Sequence, residues 1–278
     1  MSEIPFESQI PPSKAKLAVA LNKPLVTRKV SDSANEKILL FSTDLELRDR
    51  YINFFNGLRL GKLLEDLDLI AGQVAYKHTE GWERGMTIVT AACDRIDLLG
   101  ELHSDRDLQL LSSINWVGRS SLEVGVRISA KEGKTWKRVA RAYFIMVARR
   151  DGKAEAVNKL ELVSKDDQRR FQESEQRQQE RRAIAKTSYL KDTPTARESH
   201  VLHDLFLRIK NGEIAGVAME DSIRQSTLLM HPQSRNVHNN IFGGYLMREA
   251  FEMAWNITYL FCRKKPKFIS MDHMYFYK

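Results

Sequence analysis

Two stretches of the chain carry the clearest helical pattern of apolar positions. In the first, Leu60, Leu63, Leu64, Leu67, Ile70, Ala71 and Val74 recur at three- and four-residue spacing, which predicts an amphipathic helix over Leu60–Lys77. In the second, Leu246, Met247, Ala250, Phe251, Ala254, Ile257, Thr258 and Phe261 do the same, and that helix is predicted to begin at Gly243–Gly244. A polar loop rich in Asn and His precedes it, and a short apolar run from Ser226 predicts a strand before the loop. Between the helices the period changes from helical to strand-like. Met86–Asp94, Ile114–Val117, Leu122–Ala130 and Thr135–Arg149 read as strands, with Leu122, Val124, Val126 and Ile128 alternating against Glu123, Gly125, Arg127 and Ser129. A lead-in strand at Ile38–Phe41 and a helical turn at Leu45–Tyr51 complete an α+β layout, a long helix laid on an antiparallel sheet.

The remaining segments read as connections. Residues 1–36, with Pro11, Pro12 and Pro24 among polar residues, predict an extended N-terminal arm. Asp166–Ala185 alternates acidic and basic residues at helical spacing and predicts an exposed helix, followed by another near Ser199–Lys210. The expected organisation is therefore an arm over 1–36, a first domain over 37–163, a helical linker over 164–217 and a second unit over 218–278.

The second unit repeats the first. Shifted back by 183 positions, Asn236, Asn239, Gly244, Leu246, Met247 and Ala254 fall on Asn53, Asn56, Gly61, Leu63, Leu64 and Ala71. A repeat of that length is a domain duplication rather than a solenoid period. The copy has no counterparts of Ile114–Ala130 and Thr135–Arg149, so the second domain is expected to be incomplete at its C-terminus. Aligning Met271–Met274 with Cys93–Ile96 makes the copy stop where the first has reached about Gly100.

The runs HPQSRNVHNNIFGGYLMREAFEMAW and LELRDRYINFFNGLRLGKLLEDLD, in that relation, resemble the paired signatures of the double hotdog acyl-CoA thioesterases, and most of all their mitochondrial branch. The resemblance runs from about Phe41 onward and implies tandem hotdog domains, each a long helix against an antiparallel sheet. It also implies an acyl-CoA substrate hydrolysed to free fatty acid and CoA, no cofactor, and association into homo-oligomers. A second reading keeps the fold and drops the turnover: a truncated hotdog protein that binds acyl-CoA or a partner subunit.

Composition narrows the alternatives. The chain has 278 residues, a formal charge of +8 and 42% hydrophobic residues, ordinary for a globular protein of one or two domains. Its basic residues are dispersed among 36 acidic ones, a solvated surface rather than a nucleic-acid footprint, so no nucleic-acid partner is expected. Cys93 and Cys262 alone give no disulfide framework and no metal-ligand spacing. A pairing of Cys262 with His273 has only closeness in sequence behind it. No apolar run is long enough to span a membrane as a helix. The resemblance implies a mitochondrial location, whereas early Glu3 and Glu7 and a first arginine at Arg28 make a poor transit peptide and leave the cytoplasm open.

Thioester hydrolysis needs an activated water and a polarised carbonyl. In the family, a helix carboxylate of one domain works with a loop Asn of the other. The position seven residues beyond Gly61 is Asp68, whereas the equivalent place beyond Gly244 is Phe251. The resemblance thus leaves one complete pair, Asp68 as general base with Asn236, and an incomplete one, Asn53 with Phe251. Asp68 lies between Leu64 and Ala71 on the helix, where desolvation raises a carboxylate pKa; the plainer alternative is a carboxylate reaching solvent beside Glu65 and Asp66. Gly243 and Gly244 begin a helix whose free N–H groups can polarise a carbonyl. His238, Asn239 and Glu252 are expected to support the site, while His231 and Glu249 read as loop and helix surface. No metal cluster, phosphate-binding Gly loop or Ser nucleophile elbow is present in the sequence. The CoA-contacting residues are not readable from spacing.

Overall fold

The computed structural model describes residues 24–186, 192–214, 216–234 and 241–276. In chain order, β1 (Thr27–Lys29) and α1 (Val30–Ser33) lead to β2 (Asn35–Leu39), α2 (Leu45–Asp49) and the long helix α3 (Leu60–Thr79). The strands β3 (Thr87–Leu98), β4 (Leu108–Val117), β5 (Ser121–Glu132), β6 (Thr135–Arg150), β7 (Lys153–Ala154) and β8 (Lys159–Glu161) follow. Then come the helices α4 (Lys165–Lys186), α5 (Ala196–Lys210), α6 (Met219–Ser222) and α7 (Gly243–Cys262), and the strand β9 (Ser270–Tyr275).

The main sheet is antiparallel, in the order β2-β4-β5-β6-β3-β9 with β7 on the edge of β6. Helix α3 lies on its inner face in the α+β hotdog layout. The apolar stripe Leu63, Leu64, Leu67, Ile70, Ala71 and Val74 is buried there with Val124, Val126, Phe144 and Met146. Alternation along β5 puts Leu122, Val124, Val126 and Ile128 in this core and turns Glu123 to the outer face.

That outer face is not free. Helix α4 crosses it, and Glu123, 1% exposed, accepts hydrogen bonds from Ser174 Oγ at 2.6 Å and Arg177 Nη2 at 2.6 Å. Arg177 also lies over the Tyr143 ring at 3.9 Å, and Arg181 reaches buried Asp94 at 2.9 Å. The expectation of an exposed linker helix is corrected: one side of α4 straps the sheet, because Glu123 on β5 and Asp94 on β3, the two strands that flank β6, need cations once they are buried.

Two further expectations change. Part of the segment expected as an extended arm is built into the fold: β1 pairs in parallel with β8, and Val30 and Ser33 are buried. The strand expected at Ser226 is absent, since 226–230 has no partner strand among the described residues and Leu229 is 77% exposed.

The duplication is visible as a pseudo-two-fold relation. Strands β3 and β9 pair with Ala92 opposite Tyr275, residues 183 apart, and the antiparallel register runs out symmetrically from that point. The α3–α7 contact obeys the same relation: Glu65 and Arg248, also 183 apart, form an ion pair at 3.0 Å. Residues related by a two-fold can touch each other only beside its axis, so this axis passes between the helices and between β3 and β9. The shift of 183 therefore holds through β9, and the offset that aligns Met271–Met274 with Cys93–Ile96 is corrected: Met271 is the counterpart of Ile88.

Candidate active site

Close approach of the start of α7 to Glu65 and Asp68 of α3 is what builds the site. Phe242 caps α7 with an extended backbone (φ −68°, ψ 130°) and no side-chain cap, so the first N–H groups of the helix carry no capping side chain. A Cβ on Gly244 would lie 3.0 Å from the Glu65 backbone, and one on Gly243 would lie 3.1 Å from Asp68 Oδ2 and 3.2 Å from Thr90 Cβ. Glycine at both positions lets the start of α7 rest directly on α3 and β3.

Asp68 sits in this contact and is 1% exposed. Its Oδ1 accepts a hydrogen bond from Thr90 Oγ1 at 2.7 Å. Its Oδ2 is buried without a hydrogen bond of regular geometry among the described residues, although the Gly244 N–H is near enough to favour the charged form. Burial pushes the carboxyl pKa up from 3.8 to about 6, against the Thr90 hydroxyl and the Gly244 N–H, which hold it down. The alternative of a carboxylate reaching solvent is thereby excluded for Asp68. Neighbouring Asp66 is buried too, and is satisfied by the Tyr51 hydroxyl and by Lys37 at 3.1 Å.

Of the other expected residues, Gly243 and Gly244 stand beside Asp68. Asn236, His238 and Asn239 lie outside the described residues. Glu252 faces away from Asp68 toward the start of α3, where Arg59 grips both of its carboxylate oxygens at 2.8 and 3.1 Å. Its place is that of a tether between the repeats. Cys262 is exposed at the end of α7, whereas the His273 ring is engaged with Asp94, Nδ1 to Oδ1 at 3.0 Å, so no thiol–imidazole pair forms. Thr90 was not visible in the sequence as a site residue. Its one signal there is a polar residue inside an apolar strand, which many strands contain.

The symmetry-related location is chemically closed. The Asn53 amide is consumed by its own loop: Nδ2 donates to the Leu58 carbonyl at 3.0 Å, and Oδ1 accepts from the N–H groups of Phe55 and Gly57 at 2.9 and 3.1 Å. Phe251, in the place of a carboxylate, packs against Phe268 with ring centroids 5.3 Å apart. Among the described residues no cluster of His, Cys, Asp or Glu could hold a metal, and no helix is long and apolar enough to cross a membrane.

The family model described as the thioesterase superfamily matches residues 52–137, from the Asn53 loop through β5. The chain is 35% identical over 274 residues to mouse (Mus musculus) mitochondrial acyl-coenzyme A thioesterase 9, covering 92% of this chain and 62% of the relative. It is 34% identical over 270 residues to chloroplastic acyl-coenzyme A thioesterase 2 of Humulus lupulus, covering 91% of this chain and 61% of the relative. The chain thus spans about three fifths of the length of these curated relatives. Among solved structures, an acyl-CoA hydrolase from Staphylococcus aureus superposes with a TM-score of 0.50 at 25% identity, over 57% of this chain and 92% of that one. An apo-hexameric acyl-CoA thioesterase superposes with a TM-score of 0.51 at 23% identity, over 59% of this chain and all of that one. The family match and the superpositions have one conclusion: residues 52–137 form a thioesterase-superfamily domain on the hotdog fold.

Proposed function

We propose that the chain hydrolyses acyl-CoA thioesters to a free fatty acid and CoA. The observation that carries this reading is Asp68: a buried carboxylate with one oxygen held by Thr90 and the other unsatisfied, aimed at a helix start contributed by the other repeat. A pKa near 6 suits a general base at neutral pH, ionised yet basic enough to take a proton. Asp68 removes a proton from water as the water oxygen attacks the thioester carbonyl carbon. The resulting oxyanion lies at the positive end of α7. The Gly244 N–H is directed to Asp68, so the donor role falls to Gly243. Collapse of the tetrahedral intermediate expels CoA as its thiolate, which recovers the proton from Asp68. The role of orienting the water is proposed for Asn236, with His238 and Asn239 in support. No cofactor enters this scheme.

The protein's relatives and neighbours support its wider setting: their names place two of them in mitochondrion and chloroplast, and one forms hexamers. We assign this chain to the mitochondrion, to homo-oligomers, and to no nucleic-acid partner. Thiol release from a panel of acyl-CoAs, run beside Asp68→Asn, tests the activity. Turnover that Asp68→Asn abolishes supports the reading, and equal rates in both proteins overturn it. A wild type that is folded and binds acyl-CoA without turnover would select the alternative reading, binding alone.

A further inference from the structure

The cleft at the symmetry-related location is larger than a blocked catalytic site needs to be. It has a volume of about 940 Å³, at the upper end of the range for small-molecule sites. Its walls are the Asn53 loop and start of α3, the segment after β3, and the Phe251–Asn256 stretch of α7 with residues 265–269. Phe251, Trp255 and Phe268 give it an aromatic wall, and Leu60, Leu98 and Leu99 an aliphatic one. At the lining Lys265 sits 5.3 Å from the Phe55 ring centroid, with no carboxylate partner among the described residues, and Lys267 is 79% exposed and 3.9 Å from Glu101. Lys265 and Lys267 belong to the run Arg263–Lys267, in which four of five residues are cationic. An apolar trough that opens beside Lys265 and the exposed Lys267 matches an amphiphile with a long hydrocarbon tail and an anionic head.

We infer that this cleft binds a long acyl chain with an anionic head group, as free carboxylate or as CoA thioester, and does not hydrolyse it. The choice of ligand rests on the activity proposed above; the binding itself does not require that activity. Hydrolysis is absent there for two reasons already in the geometry. Phe251 supplies no base, and the Asn53 amide is held in its own loop, its Oδ1 accepting from Phe55 and Gly57 and its Nδ2 donating to Leu58. The loss of the carboxylate makes the cleft a better acyl site, because Phe251 replaces a charge that would need desolvation with apolar surface. The same two helices frame both sites, so the chain is bifunctional in a strict sense: one repeat interface for turnover and one for retention.

Trp255 lines the cleft and reports on it. Titration of the whole chain with a dibrominated C18 fatty acid, and separately with its CoA thioester, is expected to quench Trp255 fluorescence saturably. Trp255→Phe is expected to lose that component, and the double variant Lys265→Glu with Lys267→Glu to raise the half-saturation concentration roughly tenfold, about 1.4 kcal/mol. Both lysines are exposed, so the double variant tests the head group without disturbing the core. Quenching by both ligands assigns the head group to any anion, and quenching by the thioester alone assigns it to CoA; either supports the inference. Quenching that survives unchanged in Trp255→Phe, or no saturable quenching, overturns it. Thiol release is followed in the same samples, so a failed activity with intact quenching sinks the catalytic reading alone.

Discussion

Asp68→Asn is expected to inactivate the protein and to stabilise it, with a sign that depends on pH. In the folded chain the Asp68 carboxyl is raised from 3.8 to about 6 by burial, so the native state binds its proton more tightly than the unfolded chain does. Stability from this group is fully present below pH 3.8, falls as pH rises through about 6, and is then flat. The rise corresponds to about 3 kcal/mol of cost for holding the buried carboxylate ionised at pH 8. Asparagine removes that cost and keeps an oxygen to accept from Thr90. Its amide N–H₂ would face the Gly244 N–H, and two opposed donors cost about 1–2 kcal/mol. The net gain at pH 8 is therefore about 1–2 kcal/mol, or a rise in Tm of about 2–8 °C. Below pH 4 the gain disappears and the opposed donors leave the variant slightly less stable. Urea denaturation of both proteins at pH 4 and pH 8, with thiol release measured alongside, checks the whole argument. A variant less stable than wild type at pH 8, or a difference that ignores pH, would refute it.

Four further outcomes follow from contacts already described. Thr90→Val removes a hydrogen bond that favours ionised Asp68, so the rise of activity with pH should move upward from about pH 6, with most of the loss recovered in alkaline buffer. Gly244→Ala places a methyl 3.0 Å from the Glu65 backbone, which cannot rotate away; about 1–3 kcal/mol of stability and most of the activity should be lost, read by denaturation and thiol release. Glu123→Ala leaves Arg177 without its carboxylate under α4 and should cost about 3–5 kcal/mol, with faster hydrogen exchange across 165–186. Glu252→Gln, by contrast, touches a pair whose side chains are each at least one third exposed, and should cost under about 1 kcal/mol by the same denaturation.

Side-chain periodicity alone located both long helices, the β3–β6 strands and the inner face of β5, because burial of one face leaves a repeat of 3.6 or 2 in the sequence. The repeat of Asn, Gly and Leu positions, read at a constant shift of 183, also determined that the chain is a duplication and that only one copy holds a carboxylate seven residues beyond its helix-start glycine. Strand ends were legible less well: β4 begins at Leu108, where the pattern had suggested Ile114, since hydrogen-bonded pairing with β2 and β5 extends a strand past its apolar run. The order β2-β4-β5-β6-β3-β9 and the symmetric register about Ala92 and Tyr275 belong to the tertiary structure, because pairing depends on which edges meet in space. So does the environment of Asp68. Its position on an apolar helix side was written in the spacing of Leu64 and Ala71, but its hydrogen bond to Thr90 and its contact with Gly243 join residues 22 and 175 positions away. A carboxylate becomes a base only when neighbours remove its water without replacing every hydrogen bond, and that is decided by packing rather than by sequence order.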